Sequence, residues 1–147
     1  MLYNKEEAVI FIKPNFLHFQ IKIIKILKKE FSVKNISQIN NISEKLIFNL
    51  YWEYKNKWFY EKLINYYKNK KIILIFINWD NIMKRLSKII GHKDPSKAIQ
   101  STIRNMFSND SLVIANKEKR IIENVIHFQE NKLKMDYELK LFKKIKK

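Results

Sequence analysis

Residues 91–107 read GHKDPSKAIQSTIRNMF, and they are the most informative stretch of the chain about its fold. The segment opens with Gly91 and an Asp94-Pro95 pair, which interrupt regular secondary structure and predict an irregular loop. It also contains Arg104, whereas arginine occurs elsewhere only at Arg85 and Arg120 in a chain whose other basic residues are lysines. An isolated arginine inside a loop with helix breakers distinguishes this segment from the rest of the sequence.

Two further segments, both earlier in the chain, carry distinctive residues. Residues 8–15, AVIFIKPN, begin with an apolar run typical of a central strand, and Pro14 ends that run. Residues 50–63, LYWEYKNKWFYEKL, combine aromatic side chains with a lysine-rich break at residues 55–57. The three segments have to be interpreted together, because their order is more specific than any one of them.

In this order the three segments resemble the nucleoside diphosphate kinase family. The spacing within the loop is that of the family, and the loop residues that match are Gly91, Asp94, Pro95, Thr102, Ile103, Arg104 and Phe107. The departures are Lys93 in place of a threonine, and Ser101, Asn105 and Met106 in place of Gly, Gly and Asp. Outside the loop the matching residues are Lys13, Pro14, Tyr51, Phe59 and Leu63.

The resemblance implies a ferredoxin-like βαββαβ sandwich of the α+β class with added helices, and the residue pattern agrees with it. Strands are predicted at residues 8–12, 31–39, 71–79 and 112–115. Helices are predicted at residues 16–29, 43–54, 58–68, 81–90 and 117–128. We therefore predict a nucleoside diphosphate kinase-like domain over residues 1–128 and a basic amphipathic helix over residues 129–147.

The C-terminal helix has an apolar stripe at every fourth residue, formed by Leu133, Tyr137, Leu141 and Ile145. One interpretation is that this stripe packs on the chain's own domain. The other is that the helix is an arm for RNA or a partner subunit. The residues predicted to contact RNA are the lysines around the stripe: Lys132, Lys134, Lys140, Lys143, Lys144, Lys146 and Lys147.

The overall charge favours a polyanionic partner. The chain has 30 Lys+Arg against 14 Asp+Glu, a net charge of +16. AT-rich coding would also raise the lysine content, but it does not explain the shortage of acidic residues. There is no cysteine, which excludes disulfides and thiolate metal sites, and no apolar run long enough to span a bilayer.

The family transfers a phosphoryl group between nucleoside triphosphates and diphosphates through a histidine that becomes phosphorylated. That histidine ends the last strand, in the order Asn, two apolar residues, His, Gly or Ala, Ser. With residues 112–115 as the last strand, Ile114 takes the place of the histidine and Ser111 that of the asparagine. The chain is therefore predicted to lack the nucleophile and to be no enzyme. His18 and His127 are interpreted as surface or packing residues.

Nucleotide binding does not require the histidine. The resemblance places Lys13, Tyr51 and Arg104 at phosphate-contacting positions, and Phe59 and Leu63 on either side of the base. Three other positions depart from the family: Ser87 replaces an arginine, Lys93 a threonine and Trp58 a proline. The prediction is a weakened, vestigial nucleotide pocket, with no cofactor and no metal.

The function predicted from these observations is an inactive structural subunit that contacts ribosomal RNA and neighbouring proteins, within a mitochondrial ribosome and hence in the mitochondrial matrix. The first alternative is an accessory subunit of a mitochondrial respiratory complex. The second is a residual nucleotide-binding protein, or an enzyme that uses His92 as its nucleophile. Self-association of the chain is left open.

Overall fold

The fold is a four-stranded antiparallel sheet covered by helices. The computed structural model describes residues 5–146. The strands are β1 (Glu6–Ile12), β2 (Ser32–Ile39), β3 (Ile72–Trp79) and β4 (Ile126–His127), in the order β2-β3-β1-β4. The central strands β1 and β3 pair from Glu6–Trp79 to Ile12–Ile73 and are buried along most of their length. The predicted α+β, ferredoxin-like fold is confirmed.

The helices are α1 (Gln20–Glu30), α2 (Glu44–Tyr51), α3 (Tyr60–Tyr67), α4 (Ile82–Ile90), α5 (Ile103–Phe107), α6 (Leu112–Lys117) and α7 (Lys132–Lys146). Short 3-10 turns occupy Pro14–Phe19, Trp52–Tyr54 and Pro95–Lys97. Ser43 caps α2, because its hydroxyl accepts a hydrogen bond from the Leu46 amide at 3.1 Å. Helix α1 buries Ile23 and Leu27, whereas Ile21 is exposed.

The end of the core differs from the prediction. Residues 112–115 lie in helix α6, because the Ser111 hydroxyl accepts from the Ile114 amide and starts a helix there. The predicted strand at 112–115 is therefore wrong, and so is the predicted helix at 117–128. The last strand of the sheet is β4, which pairs with β1 at Phe11–His127 and Ile12–Ile126.

Helix α7 packs on the sheet with a face other than the predicted one. Its buried side chains are Met135, Glu138, Leu139 and Phe142, whereas Leu133 and Tyr137 of the predicted stripe are 80% and 46% exposed. A stripe at every fourth residue drifts around a helix of 3.6 residues per turn, while steps of three and four stay on one side. The first of the two interpretations, in which this stripe packs on the chain's own domain, is therefore wrong for Leu133 and Tyr137, whereas Leu141 is partly buried against the core.

Helix α7 contributes to the same hydrophobic core as the sheet, through Met135, Leu139 and Phe142. The proposed domain boundary after residue 128 stays a prediction. Within residues 5–146, no helix is both long enough and apolar enough to cross a membrane.

Candidate active site

A cavity of ≈ 480 Å³ opens between the α2–α3 region, the 91–107 loop and the segment that leads into β4. It brings together all the residues predicted for nucleotide binding, namely Lys13, Tyr51, Phe59, Leu63 and Arg104. His127, which was interpreted as a surface or packing residue, lines the same cavity. His92 does not line it, and its ring instead accepts a hydrogen bond from the Asp94 amide.

The His127 ring is held on three sides. Its Nε2 lies 2.6 Å from the carboxylate of Glu138, which is almost fully buried in α7. Its Nδ1 lies 3.2 Å from the hydroxyl of Tyr51 in α2, and its ring stacks on Phe11 of β1 with centroids 4.5 Å apart. Because Nε2 is engaged by a carboxylate, Nδ1 is the ring nitrogen left available for chemistry.

The backbone just before His127 is strained. Val125 has a φ of 76°, a region that β-branched residues rarely adopt, and the Ile126 amide donates to the Asn124 carbonyl at 2.9 Å. This is a γ-turn at the entrance to β4. Strain of this kind persists where surrounding contacts enforce it, and it is typical of functional sites.

Arg104 supplies those contacts. Its guanidinium donates to the backbone carbonyls of Asn124, Ile126 and Gly91 at 3.0, 2.8 and 3.1 Å. Burial lowers the pKa of Arg104 to about 10, so the side chain remains charged at neutral pH. Arg104 therefore clamps the strained turn to the 91–107 loop, in addition to placing positive charge at the cavity.

Gly91 is required where it stands. It has a φ of 93°, and a Cβ at this position would lie 2.5 Å from Oγ1 of Thr102. Ser101, which replaces a family glycine, has a φ of 75° and so adopts the left-handed conformation that glycine tolerates best. The loop thus keeps its glycine-dependent geometry although most of its glycines are gone.

Lys13 carries an unpaired ammonium group at the cavity. The residue is 7% exposed, and its ammonium group makes no hydrogen bond or ion pair within residues 5–146 but lies 5.9 Å from the centroid of the Tyr66 ring. Burial, followed by repulsion from Arg104, lowers the pKa of Lys13 to about 7. A buried amine beside a cationic guanidinium is a site prepared for an anionic ligand.

Apolar side chains form the outer part of the cavity. Phe59 packs against Tyr54 at 5.3 Å between ring centroids, with Leu63 beside them, and Leu112, Ala115 and Ile121 lie among the other lining residues. Helix α6 is anchored here by Asp110, which binds Arg120 through both carboxylate oxygens at 2.6 and 2.8 Å. The Arg120 side chain lowers the pKa of Asp110 to about 2.

The three residues that depart from the family pattern at the nucleotide pocket lie in different places relative to the cavity. Lys93 lines the cavity, whereas Ser87 does not, so positive charge is present at the first position and missing at the second. Trp58 is exposed at the rim and packs edge-on against Phe59.

The C-terminal lysines predicted for RNA contact are partly engaged with carboxylates. Lys132 pairs with Asp136, Lys134 with Glu53, and Lys143 with Glu7. Lys140 and Lys144 have no such partner among the described residues. The side chain of Lys146 and all of Lys147 lie outside the described part of the chain.

Comparison with known proteins decides the family. The family model described as nucleoside diphosphate kinase matches residues 6–146. The chain belongs to the nucleoside diphosphate kinase family. Among the relatives, the nucleoside diphosphate kinase of Wigglesworthia glossinidia brevipalpis is 32% identical over 139 residues, which cover 93% of this chain and 91% of the relative. That of Methanocaldococcus jannaschii is 28% identical, with 94% and 93% covered.

Solved structures share the fold of this nucleoside diphosphate kinase family member. An NDP kinase from Pyrobaculum aerophilum superposes with a TM-score of 0.84 at 17% identity, covering 94% of this chain and 95% of the other. A nucleoside-diphosphate kinase from Borrelia burgdorferi gives 0.82 at 19% identity, covering 94% and 86%.

These matches correct the predicted function. Relatives that match over most of the chain are named nucleoside diphosphate kinases, and nothing in them points to a ribosome or to an inactive structural role. The prediction of an inactive, RNA-contacting subunit of a mitochondrial ribosome is wrong, as is the respiratory-complex alternative. A location in the mitochondrial matrix stays a prediction.

The prediction that the chain is no enzyme also stays a prediction, but its premise does not hold. It required that no histidine reach the site, and His127 lines the cavity. The signal was present in the sequence: Asn124-Val125-Ile126-His127 has the family order of asparagine, two apolar residues and histidine. Ile114 was assigned to the histidine position because residues 112–115 were predicted to be the last strand, whereas they lie in α6.

Phe128 and Gln129 stand where the family has Gly or Ala and then Ser. Glu138 was also missed, because its contact with His127 joins α7 to β4 and is not visible within either segment alone.

Proposed function

We propose that this protein is a working nucleoside diphosphate kinase in which His127 carries the phosphoryl group. The observation that supports this most directly is the His127 ring, whose Nε2 is held by Glu138 at 2.6 Å while Nδ1 remains available. Lys13 and Arg104 place positive charge around the same cavity. A nucleophile, an orienting carboxylate and a cationic pocket are the parts that phosphoryl transfer through histidine requires.

In the first half-reaction, the Nδ1 lone pair of His127 attacks the terminal phosphorus of a nucleoside triphosphate. A nitrogen–phosphorus bond forms, and the bond from phosphorus to the nucleoside diphosphate oxygen breaks and leaves its electron pair on that oxygen. The positive charge that develops on the ring is stabilised by the Glu138 carboxylate, which accepts a hydrogen bond from the Nε2–H group. In the second half-reaction, a terminal phosphate oxygen of another nucleoside diphosphate attacks phosphorus. An oxygen–phosphorus bond forms, and the nitrogen–phosphorus bond breaks and returns its electron pair to Nδ1 of His127.

The remaining cavity residues divide between phosphate and base. Lys13 and Lys93 bring ammonium groups to the phosphates, and Lys93 offsets part of the charge lost with arginine at position 87. Phe59 and Leu63 give the base an apolar surface. The Borrelia burgdorferi enzyme that shares this fold binds vanadate and ADP in a transition state mimic, which is the ligand chemistry we propose for this cavity.

The test is phosphohistidine formation with radiolabelled ATP, detected as protein-bound phosphate that is labile in acid and stable in base. We expect label on the wild-type chain and on the matched control His92→Gln, because His92 lies outside the cavity. In His127→Gln the rate should fall by at least about 10³-fold, since a covalent nucleophile is removed. Label should then leave the wild-type protein on addition of a nucleoside diphosphate.

Two results would contradict the proposal. One is the absence of label on the wild-type chain, which would support the earlier prediction of a protein that is no enzyme. The other is label that persists in His127→Gln and disappears in His92→Gln, which would transfer the nucleophile to His92.

A further inference from the structure

Tyr67 is a buried tyrosine whose hydroxyl has no role in the mechanism described so far. It lies at the end of α3, is 2% exposed, and packs edge-on against Phe11 at 5.9 Å between ring centroids. Its hydroxyl oxygen lies 3.2 Å from that of Tyr51, and residues 5–146 offer it no other hydrogen-bond partner. The hydroxyls of Tyr51 and Tyr67 therefore form a buried hydrogen-bonded line that starts at Nδ1 of His127.

The protons in this line can be counted. The Glu138 carboxylate is an acceptor, so the Nε2 atom 2.6 Å away carries the ring proton of a neutral His127. A neutral imidazole has one N–H, so Nδ1 is then bare and can only accept. The hydroxyl of Tyr51, 3.2 Å from Nδ1, must be the donor.

The direction of the next bond follows from this assignment. The Tyr51 and Tyr67 oxygens are 3.2 Å apart, a distance at which either hydroxyl can donate to the other. Once Tyr51 donates its only proton to Nδ1, its oxygen can only accept, so Tyr67 has to be the donor of this pair. In the reverse direction the Tyr67 proton would be buried without an acceptor, which is costly. Burial raises the pKa of Tyr51 and of Tyr67, so both keep their protons at neutral pH.

We propose that Tyr67 is a positioning residue that directs the Tyr51 hydroxyl toward His127 and so holds the ring in the tautomer with a bare Nδ1. This inference rests on the proposed function, because a bare Nδ1 matters only if that atom attacks phosphorus. Tyr67 acts through Tyr51 and does not contact the substrate. After phosphoryl transfer, Tyr51 turns its proton to a phosphoryl oxygen while it still accepts from Tyr67.

The charged groups around the hydrogen bonds from Tyr67 through Tyr51 to His127 are the same in wild type and in the variants that test the proposal. Burial is the main cause that raises the pKa of Tyr67, and the hydrogen bond with Tyr51 lowers it; Glu123 and Glu138 raise it further, and Arg104 lowers it. Tyr66 lies next to Tyr67, but its hydroxyl donates to Glu123 at 2.7 Å and takes no part in the chain to His127. Tyr66→Phe is therefore a matched control, since it removes a hydroxyl from the neighbouring tyrosine.

The experiment compares wild type, Tyr67→Phe and Tyr66→Phe. The first measurement is the ¹⁵N spectrum of histidine-labelled protein, with the His127 signals identified by their loss in His127→Gln. We expect a bare Nδ1 in wild type and in Tyr66→Phe, and a larger Nδ1-protonated fraction in Tyr67→Phe. The second measurement is the pH profile of phosphohistidine formation. Its maximum rate should fall about fivefold in Tyr67→Phe and should be unchanged in Tyr66→Phe. ADP affinity should not change, because Tyr67 acts on the ring.

An unchanged tautomer in Tyr67→Phe would overturn the proposal, and so would a wild-type ring with its proton on Nδ1. A lower thermal stability with an unchanged tautomer and pH profile would show that Tyr67 only packs the core. Because the tautomer is measured without turnover, it decides the role of Tyr67 even if wild type forms no phosphohistidine, which is the result that would contradict the proposed function.

Discussion

Ser101 shows how a single residue retains a conformation that suits glycine. Its φ of 75° lies in the left-handed region, which costs an L-residue roughly 1–2 kcal/mol. No hydrogen bond of the Ser101 side chain compensates for this within the described residues. We therefore expect Ser101→Gly to raise the free energy of unfolding by about 1 kcal/mol, measured by urea denaturation, after part of the gain is lost to the entropy of the unfolded chain.

Asn69 provides the control for Ser101. It has a φ of 61°, but asparagine adopts this region far more readily than serine. Asn69→Gly should change the free energy of unfolding by only a few tenths of a kcal/mol, by the same entropic argument. Equal gains from both substitutions would mean that the strain assigned to Ser101 is not what glycine relieves.

At the scale of elements, β4 depends on Arg104 more than on its own sequence. The strand has two residues and follows a strained γ-turn, and the guanidinium of Arg104 donates to carbonyls on both sides of Val125. We expect Arg104→Lys to lower the free energy of unfolding by about 3–5 kcal/mol, because lysine cannot reach all these carbonyls and leaves buried acceptors unpaired. Urea denaturation measures the loss, and amide exchange at His127 should accelerate with it.

Arg85→Lys is the matched control for Arg104. Arg85 binds Glu30 at 2.7 Å, but both side chains are more than a third exposed. Such pairs contribute about 0–1 kcal/mol. The Arg85 guanidinium also lies over the rings of Phe31 and Trp79 at 5.8 and 5.6 Å, so this substitution should cost about 1 kcal/mol, well below the loss expected for Arg104→Lys. Comparable losses in the two variants would refute the role given to Arg104.

The sequence predicts those elements whose stabilising features lie among neighbouring residues, and it misses those held in place by distant segments. Strands β1 and β3 are long apolar runs, and α2 begins at a serine cap, so short-range patterns are sufficient for them. Strand β4 exists because β1 and Arg104 hold it, and neither contact is visible in a window of neighbouring residues. The Glu138–His127 bond of α7 is of the same kind. The family resemblance predicted the residues that line the phosphate and base pocket. It did not identify His127 as the nucleophile, because the last strand was predicted at residues 112–115 and not at β4.

For the whole molecule, the net charge of +16 was interpreted as a sign of an RNA partner. The structure distributes this charge in a different way. Lys132, Lys134 and Lys143 pair with carboxylates at the surface, whereas Lys13 is buried and makes no ion pair with a carboxylate of residues 5–146. One buried amine matters more for stability and ligand binding than several solvated ones, because desolvation acts on it alone.

The titration of Lys13 gives the whole molecule a distinctive pH dependence. The pKa of Lys13 is about 7 in the folded protein, against an ordinary value of 10.5, so between these pH values the unfolded chain binds more protons than the folded one. Stability must therefore rise with pH across this interval. Above pH 10 it should fall again, because burial raises the pKa of Tyr51, Tyr66 and Tyr67 and only the unfolded chain then ionises them.

Lys13→Met tests this assignment. In wild type the free energy of unfolding, measured by urea denaturation from pH 6 to 11, should rise by about 3–5 kcal/mol between pH 7 and 10. In Lys13→Met this rise should be much smaller, while the decrease above pH 10 remains, since the tyrosines are unchanged. ADP should bind wild type with uptake of a proton at pH 8, because an anion beside Lys13 restores its charge, and calorimetry in buffers of different ionisation enthalpy measures that uptake. A full rise in Lys13→Met, or ADP binding without proton uptake, would mean that Lys13 is already charged in the empty cavity.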